Sequence, residues 1–421
     1  MSDRLRLRTT PAALILMGGG ARAAYQVGVL KAMAALLRDA RRGVDPGMGQ
    51  GHNPFPILVG TSAGAINATA LASRSDNFQD AVSQLVAVWE NFHADQVYRS
   101  DLFGVMRSGA RWLSLLSLGW MVRRSLRARP RSLLDNDPLR DLLARLIDFG
   151  RIDLALERGH LRALAIAASS YSSGRHVTFY QSLNEQAFPA KLQRVSVRAR
   201  IGVPHLLASS AIPFVFPAVP LDLSGSAPGG GTEYFGDGSM RQLSPTSPAI
   251  HLGAERIMVI GVGQTGNPGL LPNFDAAAYP SLAQVAGHAL STIFLDALAS
   301  DVERLEKMNQ MVETMSPNAQ RAAGLRPIET LTISPSQRID GIAMEYVGAL
   351  PGPIRALLES IGTRRASGAG LASYLLFEAP FTRALIDRGY RDTLARRDAV
   401  LEFLMERREP QNTPGARVVV Q

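Results

Sequence analysis

The chain has 421 residues, of which 46% are hydrophobic and 19% are charged, a balance typical of a globular protein rather than a disordered one. It contains no cysteine, which excludes disulfides, thiolate catalysis and cysteine-ligated zinc or iron–sulfur sites, and which fits a reducing compartment. The net charge is +9, and no uninterrupted run of 18 apolar residues is present, so the sequence predicts no membrane-spanning helix.

The N-terminus has basic residues followed by the short apolar run AALILM at 12–17, which ends in three glycines. A signal peptide would need a longer apolar region and a small-residue cleavage site. The run is therefore predicted to be a buried strand, and the protein is predicted to be cytoplasmic.

The first strand–helix junction lies between this strand and a helix predicted over 22–38, where apolar residues recur at helical spacing. The three glycines between them, Gly18 to Gly20, leave backbone N–H groups free at a helix N-terminus. Such a loop suits the binding of an anion. Two anions fit: the pyrophosphate of a dinucleotide, or an oxyanion that forms during a reaction.

The dinucleotide interpretation has partial support from Gly18, Gly20 and Ala23, which fit the pattern G-x-G-x-x-G/A. The acidic residue that would bind the ribose about 20 positions later is Asp39 or Asp45. Asp39, however, falls at the end of the first helix and not at the end of a second strand. The match alone is weak.

The second junction, VGTSAGAIN at 59–67, matches G-x-S-x-G, with Ser62 flanked by Gly60 and Gly64. An apolar run precedes the motif and a helical run follows it, which is the setting of a nucleophile elbow. The positive end of the helix would face the serine, and the N–H of Ala63 could donate to an oxyanion. The alternative is a serine that only caps the helix in a small-residue turn.

A basic segment at 99–131 alternates arginines with leucines and two tryptophans, Trp112 and Trp120. One interpretation is a solvated helix with an ordinary core face. A second is an amphipathic segment, 103–129, that makes peripheral contact with an anionic membrane on its inner face. Nucleic-acid binding is disfavoured, because no recognisable nucleic-acid-binding module surrounds the arginines.

The remaining pattern alternates helices and strands, which predicts an α/β fold with a mainly parallel sheet between helices, in one domain without internal repeats. The predicted strands are 56–60, 161–169, 176–182, 257–263 and 328–334. The predicted helices are 62–72, 78–93, about 136–147 and 280–312, with further helices to about 407.

A nucleophilic serine needs a base, and two histidines are late enough in the chain for the usual serine hydrolase order. His251 is predicted to enter a strand and His288 lies inside a long helix, so neither has the expected loop setting. Asp237 is a better candidate, because it follows a short strand in a tight D-G turn and a carboxylate can itself act as the general base. Taken alone, the D-G pair would indicate only a turn.

Together, four segments resemble the patatin-like phospholipases, relatives of the cytosolic phospholipase A2 catalytic domain. They are GGGARAAYQVGVL at 18–30, GTSAGAINA at 60–68, ASSAIPFVFPAV at 208–219 and DGS at 237–239. The segments SLLDNDPLRDLL and AIAASSYSSGRHVTF also look like bacterial members. The resemblance covers about 12–260 and fades beyond it.

The resemblance implies a three-layer α/β/α sandwich with a mainly parallel central sheet and a C-terminal helical extension. The predicted division is an acyl hydrolase domain at 10–335 that includes the basic insert, a helical region at 336–408 packed on it, and a loose tail at 409–421.

It also implies a serine ester hydrolase that uses a Ser–Asp dyad, with Ser62 as nucleophile and Asp237 as base. Arg22 would hold the glycine loop in shape. The oxyanion hole would be formed by Gly18, Gly19 and Gly20. The expected substrates are fatty-acyl esters, above all phospholipids or lysophospholipids, and neither a metal nor another cofactor is implied.

Apolar residues for an acyl chain are predicted in the segment after 208, namely Ile212, Phe214 and Phe216. The chain departs from the family pattern at Ala23, where glycine is usual, and at Ser239, where glycine or alanine is usual. The alternative function is a non-catalytic protein that binds a nucleotide or a lipid through the glycine loop.

Overall fold

The computed structural model describes most of the chain. The described residues are 5–41, 53–99, 132–186, 188, 193–224, 231–263, 281–360 and 369–407. The predicted membrane segment 103–129 and the predicted tail 409–421 lie outside the described residues.

Within the described residues, nine strands form one sheet and two short strands form a separate pair. The strands are β1 (Leu5–Leu7), β2 (Ala12–Leu16), β3 (Ile57–Thr61), β4 (Ala163–Ser170), β5 (His176–Ser182), β6 (Arg194–Arg198), β7 (Val219–Asp222), β8 (Thr232–Asp237), β9 (Arg256–Ile260), β10 (Glu329–Ile333) and β11 (Met405–Arg407).

Fifteen α-helices are described. They are α1 (Ala24–Arg41), α2 (Ala63–Ala72), α3 (Phe78–Trp89), α4 (Asp137–Leu146), α5 (Gly150–Glu157), α6 (Val203–Ser209), α7 (Ser247–His251), α8 (Leu282–Ser291), α9 (Ala297–Glu313), α10 (Pro317–Ala323), α11 (Ile339–Tyr346), α12 (Gly352–Ser360), α13 (Ala369–Leu375), α14 (Ala379–Ala395) and α15 (Arg397–Leu404).

The sheet has the order β10-β9-β2-β3-β4-β5-β6, with β8 paired to β4 and β7 paired to β8. Five of its strand pairs are parallel, and the three antiparallel ones are β4 with β5, β4 with β8, and β7 with β8. The predicted mainly parallel sheet is confirmed.

Both faces of the sheet are covered, as the side chains of β2 show. Leu14 and Leu16 belong to one buried cluster, whereas Ala13 and Ile15 belong to a second cluster on the other face. Because successive residues of a strand point to opposite faces, helices must pack on each side. The predicted three-layer α/β/α sandwich is confirmed.

The C-terminal helices pack directly on this core. The Thr382 hydroxyl of α14 donates to the carbonyl of Trp89 at 2.6 Å, and the Tyr98 hydroxyl donates to the carbonyl of Leu375 at 2.9 Å. The predicted C-terminal helical extension is therefore present, and the division of the chain at 335 stays a prediction.

Several element predictions differ from the structure. The predicted helix at 280–312 contains a π-helical turn, Thr292–Asp296, between α8 and α9. The predicted helical end near 407 is strand β11, which pairs with β1. His251 ends helix α7 and does not enter a strand. These errors share a cause, since long-range pairing and packing, not local periodicity, decide each of them.

One helix in the described part of the chain is long and apolar enough to cross a membrane, by length and composition only. It is the continuous Leu282–Glu313, whose most apolar 18-residue window has a mean hydropathy of 1.3. The core helix of a soluble protein can pass the same test; in this helix 25% of that window is buried, and Phe294 and Leu298 are among the buried residues of the helix.

Candidate functional site

The sheet topology brings the ends of β3 and β8 together on one edge of β4. Since β5 occupies the other edge, β3 and β8 must share the same one. Thr61, the last residue of β3, pairs with Ala167, and Asp237, the last residue of β8, pairs with Ala168. Ala167 and Ala168 are adjacent, and consecutive strand residues are about 3.3 Å apart. The C-terminal ends of β3 and β8 therefore face each other, and Ser62 begins its turn beside Asp237.

Ser62 occupies a strained backbone conformation between β3 and α2. Its φ is +56° and its ψ is −131°, and among the described non-glycine residues only Phe214 also has a positive φ. Its side chain makes no capping hydrogen bond to α2, and its own N–H donates to Ser209 Oγ at 2.9 Å. Strain of this kind is typical of a nucleophile elbow and does not fit the helix-capping alternative.

Gly60 and Gly64 allow the sharp path around Ser62. A Cβ at Gly64 would lie 2.2 Å from the carbonyl oxygen of Leu16, and one at Gly60 would lie 2.5 Å from the carbonyl oxygen of Gly64. Any side chain at either position would collide with backbone, so helix α2 can start against the end of β2 only with glycine there.

The glycine loop lies directly against Ser62. A Cβ on Gly18 would be 3.0 Å from the Ser62 Cβ and 2.5 Å from Ser239 Oγ. Among the described residues, no hydrogen-bond acceptor meets the N–H groups of Gly18, Gly19, Gly20 or Ala63. N–H groups without an acceptor, beside the positive end of α2, can donate hydrogen bonds to an oxygen on which negative charge develops.

Asp237 is fully buried and anchored on one side only. Its N–H donates to the carbonyl of Ala211 at 2.9 Å, and its Oδ1 accepts the N–H of Ser239 at 2.9 Å. Asp237 Oδ2, Ser62 Oγ and Ser239 Oγ make no hydrogen bond of regular geometry. Buried polar atoms are normally paired, so three such oxygens in one place make this turn a candidate functional site.

Burial raises the pKa of Asp237 to about 6, although the Ser62 hydroxyl, the Ser239 N–H and the Ser239 hydroxyl each act to lower it. The opposing influence of Ser62 places its hydroxyl near the Asp237 carboxylate. A carboxyl with this pKa is ionised at neutral pH and remains a usable base.

Within the described part of the chain, no histidine ring hydrogen-bonds to Ser62 Oγ or Asp237 Oδ2. Among the described histidines, His176 approaches the site through a hydrogen bond between its ring and the backbone of Gly238, and burial and Arg194 lower its pKa to about 4. It is therefore neutral at physiological pH and supports the turn that carries Asp237. His251 and His288 lie on α7 and α8.

Arg22 connects the glycine loop to the C-terminal helices. Its N–H donates to the carbonyl of Gly19 at 3.1 Å, its Nε donates to Ser373 Oγ at 2.8 Å, and its guanidinium pairs with Asp340. The guanidinium also lies 4.1 Å from the ring centre of Tyr374. The side-chain partners Ser373, Asp340 and Tyr374 are more than 300 residues away in sequence, so no local pattern could have identified them.

An apolar cavity opens next to Ser62, between α2, α3 and α4. Two of the three predicted acyl-pocket residues, Ile212 and Phe216, line it. Its lining also includes Gly20, Ala63, Phe92, Val97, Ser210 and Phe377, and a wall from α4 and the residue after it: Leu139, Leu142, Leu143, Leu146 and Ile147.

The prediction that Phe214 lines this cavity is wrong. Its side chain is 76% exposed, and its φ of +66° turns the chain so that Ile212 and Phe216 face inward while Phe214 does not. A run of alternating apolar residues predicts buried positions but cannot reveal a local reversal of the backbone.

The nucleotide interpretation of the glycine loop finds no support at Asp39. This residue lies near the end of α1, about 22 Å along the helix from its first residue at about 1.5 Å per residue. Asp45 lies outside the described residues. In the described part of the chain, no cluster of three or more acidic or histidine side chains could hold a metal ion.

Comparison with known proteins identifies a family. The family model described as Patatin-like phospholipase matches residues 14–250, which include both junctions and Asp237. No curated protein sequence matches the chain.

Three solved structures illustrate the structural likeness. VipD from Legionella pneumophila has 13% identity over 91% of this chain and 68% of its own, with a TM-score of 0.31. The type III effector protein ExoU has 16% identity over 89% of this chain and 80% of its own, with a TM-score of 0.25. A complex of SpcU with ExoU from Pseudomonas aeruginosa has 15% identity over 88% of this chain and 72% of its own, with a TM-score of 0.23.

Proposed function

The chain belongs to the patatin-like phospholipase family of lipid acyl hydrolases, and within it we propose a serine esterase that cleaves fatty-acyl esters of phospholipids or lysophospholipids with a Ser62–Asp237 dyad. The observation that carries the proposal is that the C-terminal ends of β3 and β8 face each other on one edge of β4. This places a strained serine beside a buried carboxylate. Both side chains are buried, and the Ser62 hydroxyl acts on the pKa of Asp237, which supports the pairing.

In the first half of the reaction, Ser62 Oγ attacks the ester carbonyl carbon while Asp237 Oδ2 takes the hydroxyl proton. The carbonyl oxygen becomes an oxyanion, and the N–H groups of the glycine loop and of Ala63 stabilise it. Each such donor contributes about 3 kcal/mol of transition-state stabilisation in other hydrolases. The C–O bond of the ester then breaks, and the alcohol leaves with the proton from Asp237.

In the second half, Asp237 takes a proton from a water molecule as that water attacks the acyl-enzyme. The bond to Ser62 Oγ breaks, the free fatty acid leaves, and the proton returns to Ser62. The apolar cavity beside Ser62 would hold the acyl chain throughout, since its wall is formed by aliphatic and aromatic side chains.

The experiment that tests this function is hydrolysis of phospholipid, lysophospholipid and p-nitrophenyl ester substrates by the purified protein, followed by release of fatty acid or nitrophenol. We expect release of fatty acid without added metal or nucleotide. If the protein hydrolysed none of these esters and its melting temperature rose when nucleotides were added, the non-catalytic nucleotide-binding alternative would be supported instead.

The pH dependence of the reaction follows from the state of Asp237. The base must be ionised to accept a proton, and its pKa is raised to about 6. We therefore expect kcat/KM to be flat above about pH 7 and to fall about tenfold per pH unit well below 6. The measurement is a pH profile of kcat/KM with a soluble ester.

Replacement of the exposed Asp222 by asparagine is the matched control for this profile, because that carboxyl lies on β7 away from Ser62. It should leave the inflection in place. An inflection that moves with a histidine substitution instead would mean that Asp237 is not the base.

Peripheral contact with an anionic membrane through 103–129 remains a proposal, since that segment lies outside the described residues. Sedimentation with anionic vesicles at low salt tests it, and failure to sediment would refute it. The cytoplasmic location also remains a proposal; fractionation of cells that express the full chain tests it.

A further inference from the structure

We propose that the cavity beside Ser62 is a channel that selects substrates by the length of their acyl chain. In this channel, Ile66 and Ala70 on α2 determine which chain length is preferred. The inference rests on the proposed acyl hydrolase function and specifies its substrate class as esters of medium to long, about 12- to 14-carbon, fatty acids.

The first observation is the pattern of burial along α2. Eight of its ten residues are buried, and the two that are only half-buried are Ile66 and Ala70. They are four positions apart, so they lie one turn apart on the same face. Both line the cavity, as do Ser73 and Arg74 beyond the helix end. The cavity therefore follows one face of α2 along its whole length.

The second observation is that α3 forms an antiparallel wall. Its cavity-lining residues recur at helical spacing and include Ala81, Gln84, Val88 and Trp89. Trp89 Nε1 donates to Asn67 Oδ1 at 2.9 Å, which places this end of α3 beside the first turns of α2. The opposite end is fixed by the ion pair of Arg74 with Asp80 at 3.1 Å.

The two walls define a narrow slot with a polar far end. Ser73, Arg74 and Gln84 line that end, whereas the middle is lined by aliphatic and aromatic side chains. A methyl terminus gains nothing from polar groups, so the favourable burial of an acyl chain stops where the apolar wall stops.

The length of the apolar wall follows from helix geometry. Ser62 and Ser73 are eleven residues apart, which is about 16 Å at about 1.5 Å per residue. An extended acyl chain advances about 1.25 Å per carbon, given C–C bonds of about 1.5 Å and angles near 111°. The wall therefore accommodates about 13 carbons; Ile66 lies at a depth of about 5 carbons and Ala70 at about 10 carbons.

These depths make a graded test possible. Wild-type protein and three variants, Ile66→Phe, Ala70→Phe and Gln84→Trp, are assayed on p-nitrophenyl esters of 2 to 18 carbons. The Gln84 side chain is exposed, so its replacement does not disturb the core. Ala87→Phe is the control, because Ala87 is exposed on the same helix but does not line the cavity. Ser62→Ala gives the background rate.

We expect the wild-type optimum at about 12–14 carbons. The optimum should fall to about 4–6 carbons in Ile66→Phe and to about 8–10 carbons in Ala70→Phe. Gln84→Trp should slow only the esters longer than about 12 carbons, and Ala87→Phe should change nothing.

A Ser62-dependent activity whose chain-length profile stays the same in all three variants overturns the channel while leaving the proposed function intact. If Ile66→Phe fails to fold, the channel can still be tested, because Gln84→Trp changes the far end of the cavity at an exposed position. If wild type and Ser62→Ala are equally inert on every ester, the proposed function fails and the channel fails with it.

Discussion

Replacement of Ser62 by alanine is expected to lower kcat/KM for ester hydrolysis by four orders of magnitude or more, while the protein stays folded. The loss is on the order of that seen when other serine hydrolases lose their nucleophile. The fold should survive because Ser62 Oγ makes no hydrogen bond of regular geometry. The measurement is a kinetic comparison with a soluble ester, together with a melting curve of each protein.

Ser210 provides the matched control for this change. It lines the same cavity, but its hydroxyl donates at 2.8 Å to the carbonyl of Leu206 within its own helix turn. Ser210→Ala should therefore keep kcat/KM within a few-fold of wild type. If Ser62→Ala retained comparable activity, Ser62 would be a structural serine of the turn, and another nucleophile would be required.

Replacement of Asp237 by asparagine is expected to have two opposite effects. Activity should fall by about a thousandfold or more, since a general base typically contributes 10²- to 10⁴-fold. Stability at neutral pH should rise, because the folded protein holds a buried charge at a cost. That cost appears in the pKa of Asp237, which burial raises from 3.8 to about 6.

The sign of the stability effect follows from linkage. A carboxyl whose pKa is higher in the folded state destabilises the fold progressively as pH rises from about 4 to about 6, and the loss is complete above that range. A difference of about two pKa units corresponds to about 3 kcal/mol at most. Asparagine removes this penalty, so urea unfolding should show a stabilised variant at pH 8 and little difference at pH 3.5.

The exposed Asp222 again serves as the control, and its replacement by asparagine should not stabilise the fold at pH 8. An Asp237→Asn variant that is less stable than wild type at pH 8 would contradict this account. It would mean that the ionised carboxylate has a structural partner that the described contacts do not include.

Local sequence carried much of the fold and of the candidate site. The apolar runs of β2 and β3 and the glycines around Ser62 each impose a local backbone path, so short motifs were sufficient to place them. Asp237 could be nominated because a D-G turn after a strand is a local pattern, although only the family resemblance connected it with Ser62.

What the sequence could not provide was long-range. The pairing of β8 with β4 sets Asp237 beside Ser62, yet the pairing partner is about 70 residues away. The hydrogen bond from the Ser62 N–H to Ser209 and the support of Gly238 by His176 also join distant segments. Periodicity reports which side of an element is apolar and gives no information about which element covers it.

The outward turn of Phe214 illustrates a different limit. Its residue type fits a buried acyl pocket, but its backbone conformation is one that non-glycine residues rarely adopt. Strain of this kind depends on the surrounding structure, here the hydrogen bonds from Leu133 and Leu134 to the carbonyls of Phe214 and Val215. No sequence pattern encodes it.

The most direct test of the Ser62–Asp237 dyad is covalent labelling with a fluorophosphonate, followed by mass spectrometry of the intact protein and its peptides. The account predicts one adduct on Ser62 in wild type, none in Ser62→Ala, and labelling slowed by at least a hundredfold in Asp237→Asn. An adduct on another residue, or undiminished labelling of Ser62 in Asp237→Asn, would contradict it.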